Sequence, residues 1–272
     1  YTLLTDCGFN VRLSPESTYT LYQKGVGSIM SDNICFPAKL VHGHIVALIE
    51  QKVDRIFYPL IPKEQKEFVQ TTNSFNCPVV SGYPDVVRSS IDPEGRHNIP
   101  FDEPVITFSS DEALKKGCFA YLSKLGVSKS IFEKAFTKAL DERKKIKEVL
   151  RDGQKDILDK AVENNEMVFV VAGRPYHTDP LIHQKVGQIL SDLGAIVLTD
   201  DVVRKPESEG FERLKVVSKW SYPNRFIQAA SEVAKLRQNV QLSQINSFGC
   251  GPDSFLIDEA ADIIKQAGKN LT

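Results

Sequence analysis

The chain has 272 residues, with 34 Lys and Arg against 35 Asp and Glu and a net charge of −1. Cations spread along a near-neutral chain exclude a nucleic-acid or anionic-membrane surface, and no apolar run is long enough to span a bilayer. The length is long for one hydrophobic core and comfortable for two, and no signal peptide is visible, so the expectation is a soluble cytoplasmic protein.

In chain order, residues 1–8 read as a helix stopped by Gly8, and residues 9–13 as a strand ended by Ser14-Pro15. A short element over 28–30 and a turn at Ser31-Asp32-Asn33 follow. Pro37 suits the first turn of a helix running to about Gln51. Residues 55–61 read as a strand, residues 78–84 as a strand and turn, and the stretch around Val86 and Val87 as helix. A loop over 92–104, a strand over 105–108 and a helix over 111–125 complete a first domain at residues 1–127. Residues 128–165 read as a charged helical connector, divided at Gly153. A second domain, residues 166–272, opens on the apolar run 167–172, the pattern of a buried parallel strand. Asp179-Pro180 supplies an N-cap and first-turn proline for a helix to Leu193. A strand over 195–198, a loop over 204–212, helix around 220–236, a strand over 239–245 and a helix over 252–267 follow. Alternating β and α segments in both halves give an α/β fold class, two tandem doubly wound parallel-sheet domains joined by a helical connector.

Two stretches repeat at one offset. Ile34-Cys35-Phe36-Pro37 overlays Trp220-Ser221-Tyr222-Pro223, and the offset, 221 − 35 = 186, also overlays the segment 4–13 on 190–199. A shared spacing over two motifs argues for two copies of one α/β unit. Tyr1 in place of Met, and an opening directly on an apolar helix end, read as a piece of a longer polypeptide.

An odd number of cysteines, five, argues against a disulfide framework. Cys7 sits at a helix end and Cys118 on an apolar helix face, so both read as core. Cys35, Cys77 and Cys250 each precede a proline by one or two residues at element boundaries, and helix N-termini at Cys35 and Cys250 favour thiolates. Three such thiols suit three corners of a [4Fe–4S] cluster, or zinc together with His42 or His44, or are unconnected buried groups. Glycines on both sides of Cys250 let backbone approach a ligand or simply form a tight turn. His42 and His44 point about 200° apart on a helix and cannot share one metal. Arg174, Tyr176 and His177, beyond a strand end, suit an anionic ligand, or else an internal salt bridge and a cap. His97 and His183 read as surface residues. GxxxxGK[ST], GxGxxG after a strand, GxSxG and HExxH are all missing from the chain.

Ser31-Asp32-Asn33-Ile34-Cys35-Phe36-Pro37-Ala38-Lys39-Leu40-Val41-His42-Gly43-His44, Gly173-Arg174-Pro175-Tyr176-His177 and Asn246-Ser247-Phe248-Gly249-Cys250-Gly251-Pro252-Asp253 resemble the acyl-CoA dehydratase activase-related proteins. Cys77-Pro78 and Gly82-Tyr83-Pro84 match as well. In these long bacterial proteins ATPase activator domains are fused to a module similar to 2-hydroxyacyl-CoA dehydratase subunits. The resemblance implies tandem Rossmann-like domains, with Cys35, Cys77 and Cys250 holding a [4Fe–4S] cluster between them. It further implies a partner ATPase activator domain, in the same full-length polypeptide, that supplies a low-potential electron. An acyl-CoA-like small substrate would then meet Lys39, His42, Arg174, Tyr176 and His177. Phe36 and Pro252 stand where Tyr and a small aliphatic residue are commoner, which leaves the cysteines in place. No ATPase activity is expected of this segment, and its part in a dehydratase or reductase system is open. The alternatives are a non-catalytic docking module for the activator and a zinc- or small-anion-binding domain.

Overall fold

The structure, a computed structural model, describes residues 1–205, 219–247 and 249–272. It divides into two compact units: residues 1–65 with 76–147, and residues 66–75 with 148–272. Both mix helices with short parallel sheets. Among the described residues no helix is long and apolar enough to cross a membrane.

Unit 1 carries α1 (Thr2–Asp6), α2 (Tyr19–Gly25), α3 (Phe36–Glu50), β1 (Ile56–Phe57), α4 (Pro78–Ile91), α5 (Pro93–His97), β2 (Phe101–Asp102) and α6 (Asp111–Leu122). It also takes the first part of α7 (Lys129–Glu163). β1 and β2 pair in parallel, and a bridge between Leu60 and Val105 extends the pairing. Ala38 and Ile45 of α3, Val87 of α4, Ile56 and Phe101 form one core cluster; Leu114, Cys118 and Leu122 of α6 meet Phe132 and Phe136 of α7 in another. α2 crosses α3 at two glycines. A Cβ on Gly43 would lie 2.2 Å from Leu21 O, and one on Gly25 2.3 Å from Gly43 N. Glycine in a helix interior costs about 1 kcal/mol, and here it permits backbone contact between two helices.

Unit 2 carries β3 (Val168–Ala172), α8 (Val186–Asp192), β4 (Ile196–Thr199), α9 (Ser221–Lys235), β5 (Val240–Gln244) and α10 (Gly251–Gln266). The strands run parallel in the order β4-β3-β5. Val168, Val170 and Ala172 of the central strand are fully buried, as are Ile227, Ala229, Ala230 and Val233 of α9 and Ile264 of α10. Residues 66–75 add to this unit: Phe75 bridges Trp220 in parallel, and Phe68 is buried. Arg225 of α9 grips Glu67 through Nε (2.7 Å) and Nη2 (2.6 Å). Lys269 is buried past the end of α10, donating its ammonium to the carbonyls of Val233 (2.6 Å), Leu236 (3.0 Å) and Val240 (3.0 Å). A cation at the C-terminus of α9 meets the negative end of that helix.

Several sequence expectations are corrected. Residues 9–13 form no strand: β4, their counterpart at the offset of 186, is a strand because β3 pairs with it, whereas no strand lies beside residues 9–13 among the described residues. Residues 78–84 are the first two turns of α4, with Pro84 inside the helix. Residues 105–108 form no strand: Val105 bridges Leu60, and Phe108 N donates to Lys63 O (2.9 Å). α7 runs through Gly153 unbroken, α5 interrupts the expected 92–104 loop, and α2 was not foreseen. Asp179 caps a turn rather than a helix, its carboxylate accepting from Leu181 N and Ile182 N; α8 starts only at Val186. Most of the expected 204–212 loop lies outside the described residues. The two doubly wound Rossmann-like sheets reduce to a general α/β class, with two described strands in unit 1 and three in unit 2.

Candidate functional site

Cys35, Cys77 and Cys250 occupy the same position in three different helices. Each is the N-cap, of α3, α4 and α10 respectively, and each helix has proline in its first two positions. Proline costs nothing there because the first helical N–H groups have no intrahelical acceptor. The backbone of each cysteine is extended before the helix begins, with ψ of 149°, 140° and 96°. Free N–H groups and the helix dipole make such a position favourable for a thiolate. Cys7, by contrast, is the C-cap of α1, and Cys118 is buried inside α6. Burial raises both of these thiols, Cys118 to about 11. Among the described residues of either unit, no three His, Cys, Asp or Glu side chains are gathered to hold a metal ion. Unit 1 carries Cys35 and Cys77, unit 2 Cys250.

Cys35 is half-buried against the α3–α4 core. Behind that core runs a directed hydrogen-bond chain. The Ser28 hydroxyl donates to Gly25 O (2.8 Å), so it accepts from His42 Nδ1–H (2.8 Å). His42 Nε2 is then left to accept the Tyr83 hydroxyl (2.9 Å). Burial lowers the His42 pKa; burial first, and the Cys35 thiol second, push the Tyr83 phenol up to about 12. His44 sits between the hydroxyls of Ser17 (3.1 Å) and Ser14 (2.9 Å). Lys39 donates to Asp32 O (2.7 Å) and so pins the turn ahead of Cys35. The histidines are thus both spent on hydroxyl partners within unit 1.

In unit 2, the loops after β3 and β5 meet around Cys250. Arg174 is 4% exposed and Asp253 7%. The guanidinium forks onto the carboxylate through Nε (3.1 Å) and Nη2 (2.8 Å), and Nη2 also donates to Cys250 Sγ at 3.4 Å. Burial opposes the Arg174 charge, and the Asp253 hydrogen bond outweighs it, so the guanidinium stays above its ordinary value. Burial pushes the Cys250 thiol up, while Arg174 and the backbone of Asp253 pull it down.

His177 accepts the Arg174 N–H on Nδ1 (3.0 Å), which leaves Nε2–H to donate to Ser247 Oγ (3.1 Å). Burial lowers its pKa to about 4, with Arg174 adding and Asp253 opposing. In this tautomer His177 gives Ser247 a proton rather than taking one, so the pair is not a nucleophile with its base. A Cβ on Gly173 would fall 2.4 Å from His177 Nδ1; glycine is what lets the ring reach the backbone. Gly249 has φ of 82°, a left-handed turn into Cys250, whereas a Cβ on Gly251 would meet nothing within 4 Å. Tyr176 stands edge-on to His177, centroids 4.8 Å apart.

Asp253 and Ser247 were not singled out in the sequence. The signal for Asp253 was Gly251-Pro252-Asp253, an acidic residue in the first turn of a helix, where a carboxylate is favoured; Ser247 had none. His97 is exposed and His183 half-buried, its Nδ1 accepting from Lys185 N (2.9 Å).

The features above define an α/β protein that carries thiols at the N-termini of three of its helices. The chain belongs to the family described as the CoA enzyme activase uncharacterised domain, DUF2229, whose model matches residues 1–203. This agrees with the activase-related resemblance of the motifs. No curated protein and no solved structure gives a match. The matched stretch includes Cys35, Cys77, Arg174 and His177 and ends before α9, so Ser247, Cys250 and Asp253 lie beyond it.

Proposed function

We propose that the chain is the redox-carrying component of a CoA-enzyme activation system, with Cys35, Cys77 and Cys250 as ligands of a [4Fe–4S] cluster. The observation that supports this reading is the common placement of these cysteines at helix N-caps, against the C-cap position of Cys7 and the mid-helix position of Cys118. Their chemistry fits the group: thiolate sulfur is its usual protein ligand, and helix N-termini favour the thiolate form. When bound, a cluster with three protein ligands would supply one-electron chemistry and an open iron. Arg174 would hold Cys250 from the side through its Nη2 donor, and Asp253 would fix the guanidinium plane. Tyr83 and His42 would keep the ground behind Cys35 neutral, since burial disfavours the charged form of each.

The test is anaerobic reconstitution of the full chain with iron and sulfide. The unmodified protein should take up iron with a cluster-type electron paramagnetic resonance signal on reduction. The Cys35→Ser/Cys77→Ser/Cys250→Ser protein should not, and Cys7→Ser/Cys118→Ser should behave as the unmodified chain. Equal iron in the unmodified and triple-serine proteins overturns the reading.

A further inference from the structure

Unit 1 contains a cleft of about 530 Å³, a size typical of small-molecule sites. None of the three helix-capping cysteines lines it. Its floor reaches the buried side chains of Leu122 and Phe136, between α6 and α7. On one wall Phe57 stacks on Tyr121, ring centroids 5.1 Å apart and planes 29° apart. Polar groups along the cleft are already engaged: the Tyr121 hydroxyl donates to Asp102 (2.6 Å), and the Thr2 hydroxyl donates to Glu142. Cys118, also on the floor, keeps a neutral thiol, raised by burial to about 11. A ligand's inner part therefore meets apolar carbon and sulfur with no hydrogen-bonding group left over for it.

The side formed by α7 is different. Arg143 lines the cleft with its guanidinium carbon 5.4 Å from the centre of the Phe108 ring. Its acidic neighbour Asp111 is 4.0 Å away and largely in solvent, a pair that water screens to a small net energy. Residues 143–147 read Arg-Lys-Lys-Ile-Lys, and Lys147 lines the same cleft one turn on. Arg143 and Lys147 outnumber Glu142, which holds the Thr2 hydroxyl, and the interior's polar groups are already paired, so the cleft selects a molecule that is anionic at one end and plain hydrocarbon at the other.

We propose that this cleft binds a free medium-chain carboxylate, its head on Arg143 and its tail against Phe57, Tyr121 and Phe136. The test uses the full chain titrated calorimetrically with hexanoate, octanoate, decanoate and decanol, with hydrogen exchange to locate the site. Affinity should rise about fourfold per added methylene, the equivalent of ~0.8 kcal/mol. Exchange should slow in α6 and the first half of α7. Decanol should bind about tenfold more weakly than decanoate, and Arg143→Gln should weaken decanoate by about the same factor while keeping the gain per methylene. Arg143 is a surface residue, so the variant is expected to fold. Equal binding of hexanoate and decanoate, protection confined to other segments, or unchanged decanoate affinity in Arg143→Gln would each overturn the proposal. None of these readouts depends on the cysteines or on iron, so the outcome is separable from that of the cluster reading.

Discussion

His177 offers the sharpest test of the unit 2 geometry. The ring is 5% exposed, accepts the Arg174 N–H on Nδ1 and donates from Nε2 to Ser247. A second proton would have to go on Nδ1, against a backbone N–H that already points at it and beside the Arg174 guanidinium. The pKa accordingly falls from 6.5 to about 4, burial being the main cause and Asp253 resisting. A folded-state value below the unfolded one means that the unfolded chain takes the proton first as pH falls. The stability tied to a neutral His177 is complete above about pH 6.5, drains away between 6.5 and 4, and has gone below that. At 1.36 kcal/mol per pH unit the whole window is worth about 3 kcal/mol. Urea unfolding at half-unit steps from pH 4 to 8 measures it, with His177→Asn as the reference. Asparagine can still accept the Arg174 N–H but cannot titrate. The variant should be about 1–2 kcal/mol less stable at pH 7 and should lose much less on acidification. Identical slopes for the two proteins, or an NMR titration of His177 near 6.5, would refute the assigned tautomer and its burial.

Two glycines in helix interiors should respond in opposite directions. Gly43→Ala drives a Cβ into the α2 backbone at Leu21 and should cost about 3 kcal/mol or more, read as a lower thermal midpoint. Gly153→Ala, on an exposed turn of α7 with nothing within 4 Å, should gain about 0.5–1 kcal/mol in the same measurement. Lys269→Met keeps the length of the side chain and removes three hydrogen bonds to carbonyls at the end of α9 and in β5. A loss of about 2–4 kcal/mol in urea unfolding is expected, and a loss under 0.5 kcal/mol would show that those carbonyls find other donors.

What could be read from the chain follows the range of each signal. α3, α9 and α10 were legible because proline and the residues ahead of it mark a helix start locally, and β3 because five apolar residues in a row suit a strand buried on both faces. The first half of α4 was misread for the opposite reason, while the helix around Val86 and Val87 was expected. Val79, Val80, Gly82 and two prolines read locally as strand and turn, although Val79, Tyr83, Val87 and Ile91 repeat every four residues and all turn to the core. The helical period outweighed local propensity because that face had a core to bury in. Arg174 was recognised as a cation at a strand end, but its partner is 79 residues away, and nothing local announces Asp253 as the carboxylate that holds it. The assignment of residues 66–75 to the second unit was illegible for the same reason: Glu67 reaches its arginine across 158 residues.

The internal repeat shows how one scaffold can carry different chemistry. At the offset of 186 the helix stops share their backbone angles: Cys7 and Leu193 have φ/ψ of −81°/2° and −80°/3°, and Gly8 and Gly194 follow with φ of 93° and 85°. Phe9 N reaches back to Leu4 O, and Ala195 N to Leu190 O, each at 3.1 Å, the doubly bonded stop that glycine makes possible. α3 and α9 are both 15 residues long, and β1 falls on the same positions as the middle of β5. Backbone geometry is therefore shared at the helix stops, while the starts are displaced by one residue: Cys35 is the N-cap of α3, whereas Ser221 is the first residue of α9, behind its N-cap Trp220. Because the surroundings of a helix N-terminus favour a negative sulfur whichever copy supplies it, exchanging the two residues is a fair comparison. Cys35→Ser should abolish iron uptake at that position without loss of fold, since serine caps a helix at least as well as cysteine. Ser221→Cys, buried in unit 2, should leave iron uptake unchanged. A Ser221→Cys protein that restored the iron lost in Cys35→Ser would mean that a thiol at a helix N-terminus suffices anywhere in the scaffold, and the special role assigned to Cys35 would fall.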